Sequence, residues 1–308
     1  MIWKFQKCFI SSWISTRKLE HDDLNYILSI SQELKKSPKK QRKHFSDFKG
    51  AKNAKIALIL QQPNVYVQTP AILGSKLLDV KLNTIIDQHW DEQENVQDVF
   101  NYLEKSFNVI FYQSGKRELK LPSNFSVPLI CIQSSYYKLL KCLADFMAIS
   151  NHFNGLKGVK LCWIGPPTAL FNTYMLLGPK LGMDISFFCG FCKDSPLTPA
   201  VFKDAKEICA TTNTAMKQCN SLEEAIKDAN VVVTTCNIEP DLKLSLKAIT
   251  NGCNKNWHVL TDLPRCTNEM DEEVFVHRNC LVWEAMDNMK WVFSAFSING
   301  ILEKNKNK

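Results

Sequence analysis

Apolar positions along this chain follow two alternating rhythms. Short unbroken runs at 55–60 (KIALIL), 108–112 (NVIFY), 127–132 (VPLICI), 159–164 (VKLCWI), 184–188 (DISFF) and 231–235 (VVVTT) lie between turn residues and read as strands buried on both faces. Residues 83–86 and 259–263 add shorter strand segments. Between them the spacing changes to that of helices. Residues 21–36 place Leu24, Ile27, Leu28, Ser31 and Leu34 on one face, with Asp22 and Asp23 at the start and Lys35 and Lys36 at the end, as the helix dipole favours. Further helices are predicted at 69–82, 95–105, 136–151, 169–181, 199–212, 221–229 and 286–302. Strand and helix alternate twice over, which predicts an α/β protein with two domains, each a parallel sheet covered by helices. The helix at 136–151, followed by Gly155 and Gly158, is the expected hinge, and a C-terminal helix closes the chain. In such sheets ligands sit at the carboxyl ends of the strands, so a cleft between the halves is the expected pocket.

Length agrees, since 308 residues suit two domains. The net charge of +7 raises the question of a polyanion partner. Its densest clusters, residues 35–43 (KKSPKKQRK) and 304–308 (KNKNK), lack interleaved aromatics and read as a solvated linker and a frayed terminus rather than a nucleic-acid or lipid surface. No nucleic-acid partner and no membrane span are expected. Cysteines such as Cys131, Cys142 and Cys162 stand in apolar runs and read as small buried hydrophobes in a reducing compartment.

Residues 1–19 carry Lys4, Lys7, Arg17 and Lys18, several hydroxyls and no acid, with Ile2, Trp3, Phe5, Phe9, Ile10 and Trp13 able to share a helix side. That pattern predicts a mitochondrial presequence and a mitochondrial-matrix location; the alternative is an ordinary basic N-terminal helix. Cys189 and Cys192 form a CxxC after a predicted strand, but no second ligand pair accompanies them, and chance in a cysteine-rich chain is the larger explanation. The six histidines are scattered, and no P-loop or GxGxxG occurs, so no metal and no cofactor are expected.

A family resemblance emerges from collinear fragments. Leu143-Ala144-Asp145, then GLKGVKLCWIG at 155–165, PKLGM at 179–183, SLEEAIKDANVVVTT at 221–235 and DLPR at 262–265 followed by DEEVF resemble ornithine carbamoyltransferase in order and spacing, over roughly residues 20–302. The resemblance implies a carbamoyl-phosphate-binding-like domain at 20–150, an ornithine-binding-like domain at 151–284, and a C-terminal helix with a basic tail at 285–308. It implies transfer of a carbamoyl group from carbamoyl phosphate to ornithine, and assembly as a trimer.

That chemistry needs arginines and backbone N–H groups for the phosphate, and donors aimed at the developing oxyanion. The family's Ser-Thr-Arg-Thr-Arg phosphate loop corresponds here to Asn64-Val65-Tyr66-Val67-Gln68, preceded by Pro63, and residues 51–100 contain no arginine. A further family arginine corresponds to Gln113. The His-Pro-x-Gln motif has become Lys138-Leu139-Leu140-Lys141. On the ornithine side, Pro166 and Ala169 replace an Asp and an Asn, and Thr235 replaces the Asp that meets the amine. Glu239-Pro240-Asp241 replaces Ser-Met-Gly, His-Cys-Leu-Pro reads Thr261-Asp262-Leu263-Pro264, and Met289 replaces the C-terminal arginine.

Two readings stand. One is a pseudoenzyme that keeps the fold and acts as a binding or regulatory partner, as a homotrimer or in a mixed oligomer with an active relative, with small-molecule binding doubtful. The other is a transferase of altered substrate that uses Lys138, Lys141 and Asp262.

Overall fold

The computed structural model describes residues 13, 15–37, 53–117, 119, 125–189, 199–236 and 242–306. The chain divides into two compact units: Met1–Leu143 with Asp287–Lys308, and Ala144–Met286.

The first unit holds a four-stranded sheet in the order β2-β1-β3-β4, formed by β1 (Lys55–Leu60), β2 (Lys81–Ile86), β3 (Val109–Ser114) and β4 (Leu129–Ser134). Every pairing is parallel. The central strands β1 and β3 are buried almost throughout, as their unbroken apolar runs require, while the edge strand β2 is largely exposed. Helix α1 (His21–Lys36) buries Leu24, Ile27, Leu28, Ser31 and Leu34, the face predicted. Its start is closed by a capping box in which Asp23 accepts from the Glu20 N–H at 2.9 Å. One core cluster gathers Ala57, Ile59, Trp90, Phe100, Ile110 and Tyr112.

Several element boundaries in this unit differ from expectation. Helix α2 runs Val65–Leu78, not 69–82, because Asn64 caps it and Asp79 ends it in the left-handed conformation (φ 54°). The NVYVQ stretch, read from sequence as a loop, is therefore a cap and first turn. Strands β3 and β4 each run two residues further, bringing Gln113, Ser114, Gln133 and Ser134 into the sheet. After helix α3 (Val96–Glu104), the long helix α4 spans Leu139–Phe153, which leaves Lys138 just outside its start.

Residues 1–12 and 14 of the expected presequence lie outside the described residues. Trp13 itself packs on the first sheet. It bridges Ile130 of β4 in parallel, its N–H donates to Leu129 O at 2.7 Å, and its carbonyl accepts from the Cys131 N–H at 2.9 Å. Its ring packs edge-on against Phe296 at 4.7 Å, and Ser15, Thr16 and Leu19 are buried.

The second unit holds a five-stranded parallel sheet in the order β7-β6-β5-β8-β9: β5 (Lys160–Ile164), β6 (Asp184–Phe188), β7 (Met216–Gln218), β8 (Val231–Thr234) and β9 (His258–Thr261). Helices α5 (Ala169–Lys180), α6 (Pro199–Thr212), α7 (Leu222–Ile226), α8 (Leu246–Gly252) and α9 (Glu272–Phe275) complete it. Strand β7 and helices α8 and α9 were not predicted. Helix α10 (Val282–Lys306) begins four residues earlier than expected. Glycines at 155, 158 and 182 adopt positive φ in the turns around β5 and β6. Cys142 and Cys162 are fully buried, and burial pushes the Cys131 thiol up to about 12, as small core hydrophobes would show.

Candidate functional site

In the first unit the polar groups that matter lie at the carboxyl ends of the strands. The start of α2, where the family holds phosphate, is closed by the chain itself. Asn64 Oδ1 accepts from the Tyr66 N–H at 3.0 Å, and Gln68 Oε1 accepts from the Asn64 N–H at 3.0 Å. Asn64, at the position of the family's serine, and Gln68, at the position of an arginine, thus satisfy two N–H groups at the site where an anion would sit. Val65 is exposed and Val67 buried, and neither brings a donor.

Past the ends of β1 and β3 lies a residue that sequence reasoning passed over. Asp91 is buried, and its carboxylate accepts from Ser114 Oγ at 2.6 Å, the Gly115 N–H at 2.8 Å and Gln61 Nε2 at 3.1 Å. These donors stand just past the ends of β1 and β3. They meet an internal anion, and none of Asp91's partners among the described residues is a cation. Gln113, at the position of a family arginine, is buried in β3; its carbonyl accepts from Trp90 Nε1 at 3.0 Å, and its Oε1 has no hydrogen-bond partner among the described residues. Lys138 precedes α4 and accepts the Cys142 N–H at 3.1 Å through its carbonyl, while Lys141 is buried in the first turn of that helix. Met289, in the part of α10 that belongs to the first unit, is a buried apolar residue.

In the second unit, Thr168 caps α5 by accepting from the Phe171 N–H at 3.3 Å, and Ala169, the first helical residue, accepts the Thr173 hydroxyl at 2.7 Å through its carbonyl. Strands β8 and β9 pair Thr234 with Thr261, so Thr235 and Asp262 follow at neighbouring strand ends. Thr235 is buried, and Asp262 and Leu263 are half-buried. Glu239-Pro240-Asp241 lies outside the described residues, as do Gly190 to Cys192 of the CxxC and residues 38–43 and 307–308 of the basic clusters.

Two further groupings appear only in three dimensions. Cys236, Cys266 and Glu269 converge past the ends of β8 and β9. Burial and the neighbouring Cys266 and Glu269 push the Cys236 thiol up. His152 and His258 also come together, with ring centroids 4.6 Å apart, and Glu284 holds His152 at 2.9 Å. Burial and the proximity of His152 lower the His258 pKa.

Two all-parallel sheets, each covered by helices, define a two-unit α/β protein. The family model for the aspartate/ornithine carbamoyltransferase Asp/Orn binding domain matches residues 157–296. The mitochondrial ornithine transcarbamylase of Gallus gallus is 26% identical over 298 residues, covering 90% of this chain and 82% of its own length. The mitochondrial ornithine carbamoyltransferase of Aquarana catesbeiana is 26% identical over 306 residues, covering 93% and 85%. Among solved structures, ornithine transcarbamoylase from Giardia lamblia superposes with a TM-score of 0.82 at 18% identity, covering 94% of this chain and 98% of that one. The mitochondrial enzyme of Coccidioides immitis gives 0.80 at 17% identity, covering 95% and 98%. Residues 157–296 thus resemble the Asp/Orn binding domain of the aspartate/ornithine carbamoyltransferases, and the chain as a whole is similar to the ornithine carbamoyltransferases. No helix among the described residues is long and apolar enough to cross a membrane.

Proposed function

We propose that this chain retains the ornithine carbamoyltransferase fold without carbamoyl transfer, and serves as a binding or regulatory partner in the mitochondrial matrix. The observation that carries this reading is Asp91. A buried carboxylate takes the donors at the ends of β1 and β3, and like charge there opposes an incoming phosphate dianion. Asn64 and Gln68 cap α2 from within, and no arginine occurs in residues 51–100 to offset either effect. Losing one oxyanion donor costs roughly a hundred- to a thousandfold in rate. Here the phosphate ligands and several donors are replaced together. On the ornithine side, Thr235, Asp262 and Met289 leave the amino acid's charged ends without their family partners.

The family resemblance supports a trimer, either of this chain alone or mixed with an active relative. The names of the Gallus and Aquarana relatives support a mitochondrial location. The packing of Trp13 limits any removable leader: one that extended to residue 19 would carry away a segment bonded to β4. Cleavage is therefore expected before residue 13.

The test is a thermal-shift titration of the purified chain with carbamoyl phosphate and with phosphate, alongside a citrulline assay with ornithine. A ligand that binds only the folded state, at about a hundred times its dissociation constant, stabilises by about 2.7 kcal/mol. The expected result is no saturable shift at millimolar ligand and no citrulline. A saturable shift, or product formation that Lys138→Ala or Lys141→Ala removes, would overturn the reading in favour of a transferase of altered substrate.

A further inference from the structure

We propose that Cys236, Cys266 and Glu269 form a binding site for a thiophilic divalent cation of the zinc class, with one coordination position left open. One ligand atom from each residue lies within 4.8 Å of the others. The Cys236 and Cys266 sulfurs are 2.6 Å apart, and Cys236 Sγ is 3.0 Å from Glu269 Oε1. Cys236 follows β8 and Cys266 lies beyond β9, so two neighbouring parallel strands deliver the sulfurs to one place.

Glu269 is the reason to expect a cation. It is fully buried. Its partners among the described residues are the Thr261 hydroxyl, the Cys266 N–H at 2.6 Å and the Cys236 thiol. All three are neutral, and no Lys, Arg or His among the described residues pairs with it. A buried carboxylate met only by neutral donors lacks the opposite charge that desolvation calls for. A divalent cation supplies it directly. Each ion bound displaces one proton from each of the two thiols, leaving a metal held by two thiolates and a carboxylate.

The surroundings suit the ligand role. Thr261 Oγ1 donates to Oε2, the carboxylate oxygen turned away from the sulfurs, and also lies 3.2 Å from Thr234 O. The Cys266 N–H takes one lone pair of Oε1 and leaves the other for a metal. Outer hydrogen bonds of this kind orient ligating carboxylates. Tetrahedral geometry with metal–sulfur distances of about 2.3 Å needs sulfurs about 3.8 Å apart. The two side chains must therefore part by rotation at half-buried positions. A disulfide, at about 2.05 Å, would instead need them to close. Closure would strip Glu269 of the Cys236 donor and leave the buried charge worse satisfied, which favours the metal. The inference does not depend on whether the chain transfers carbamoyl groups.

The experiment titrates the full chain, reduced and stripped with a chelator, with Co²⁺ and then with Zn²⁺ in competition. The expected result is one equivalent of cobalt with a thiolate-to-cobalt charge-transfer band and a tetrahedral visible spectrum, both abolished by zinc. Cys266→Ser and Glu269→Gln should each weaken cobalt by about 100-fold or more, beyond the roughly 10–100-fold loss that follows removal of an outer partner. Thr261→Val should show that smaller loss and keep the spectrum, with circular dichroism confirming the fold of each variant. The proposal is overturned if the parent chain takes up no cobalt. It is equally overturned if Cys266→Ser and Glu269→Gln bind cobalt as the parent does, or if a Cys236–Cys266 disulfide re-forms under excess zinc.

Discussion

Gly74→Ala tests a close approach of two helices in the first unit. Gly74 lies inside α2, where the backbone is helical and an alanine would ordinarily help by about 1 kcal/mol. A Cβ at this position, however, would stand 2.8 Å from Lys290 O, 3.0 Å from Phe293 Cδ1 and 3.0 Å from Ser294 Oγ. The nearest of these is backbone and cannot rotate aside, so α2 and α10 must move apart. That motion disturbs the Ser294 hydroxyl, 3.2 Å from Gly74 O, and the stack of Phe293 on Phe111 at 4.2 Å. Overpacking of this kind costs about 1–3 kcal/mol, and a weakened hydrogen bond adds up to about 1 kcal/mol. Set against the propensity gain, the net loss spans about 0–3 kcal/mol and centres near 1.5 kcal/mol. In urea, with a slope of about 2 kcal/mol per molar, the midpoint of the first unit should fall by roughly 0.5–1 M. Hydrogen exchange of peptides from residues 65–78 resolves this unit from the other. A midpoint at or above that of the parent would refute the close approach and the reasoning built on it.

Tyr174→Phe removes the hydroxyl that donates to the Asp145 carboxylate, both residues being fully buried, and should cost the second unit about 1.5–3 kcal/mol in urea unfolding; a change below about 0.5 kcal/mol would count against that bond. Trp13→Ala should destabilise the first unit by about 3–5 kcal/mol, measured by the same transition, and an unchanged midpoint would show that Trp13 does not pack on β4 and Phe296 in solution. His258 titrates below its ordinary value of 6.5 in the folded chain, because burial and His152 disfavour its charge. The stability it contributes is therefore present above about 6.5 and is lost as pH falls through the lower folded value. His258→Gln should flatten the acid side of the second unit's stability curve, and parallel curves for parent and variant would refute this.

Much of the framework is written locally. KIALIL, DISFF and VVVT are buried strands because a parallel sheet covered on both faces favours runs made mostly of apolar side chains. Helix α1 was legible to the residue, since its face, its acidic start and its basic end all agree. Where local signals were thin, reading failed. Strand β7 is three residues, MKQ, at a partly exposed edge, and has no apolar run. Helix α2 was started late because Pro70 breaks the expected helical pattern and NVYVQ looks like a loop until Gln68 is seen bonding back to Asn64. Of the candidate site, the sequence shows what is missing. It does not show what stands there instead, since Asp91, Gln61 and Ser114 meet only once β1 and β3 pair.

By itself, then, the amino-acid sequence determined the two-fold α/β alternation, the family resemblance, and the absence of arginine from residues 51–100, because periodicity and residue identity are local properties. Only the tertiary structure decided that a buried aspartate takes the donors at the strand ends, that Trp13 joins the first sheet, and that two cysteines 30 residues apart share a fully buried glutamate. The physical reason is the same each time. Parallel strands bring the ends of distant segments side by side, and the chemistry of a site depends on those neighbours rather than on neighbours along the chain.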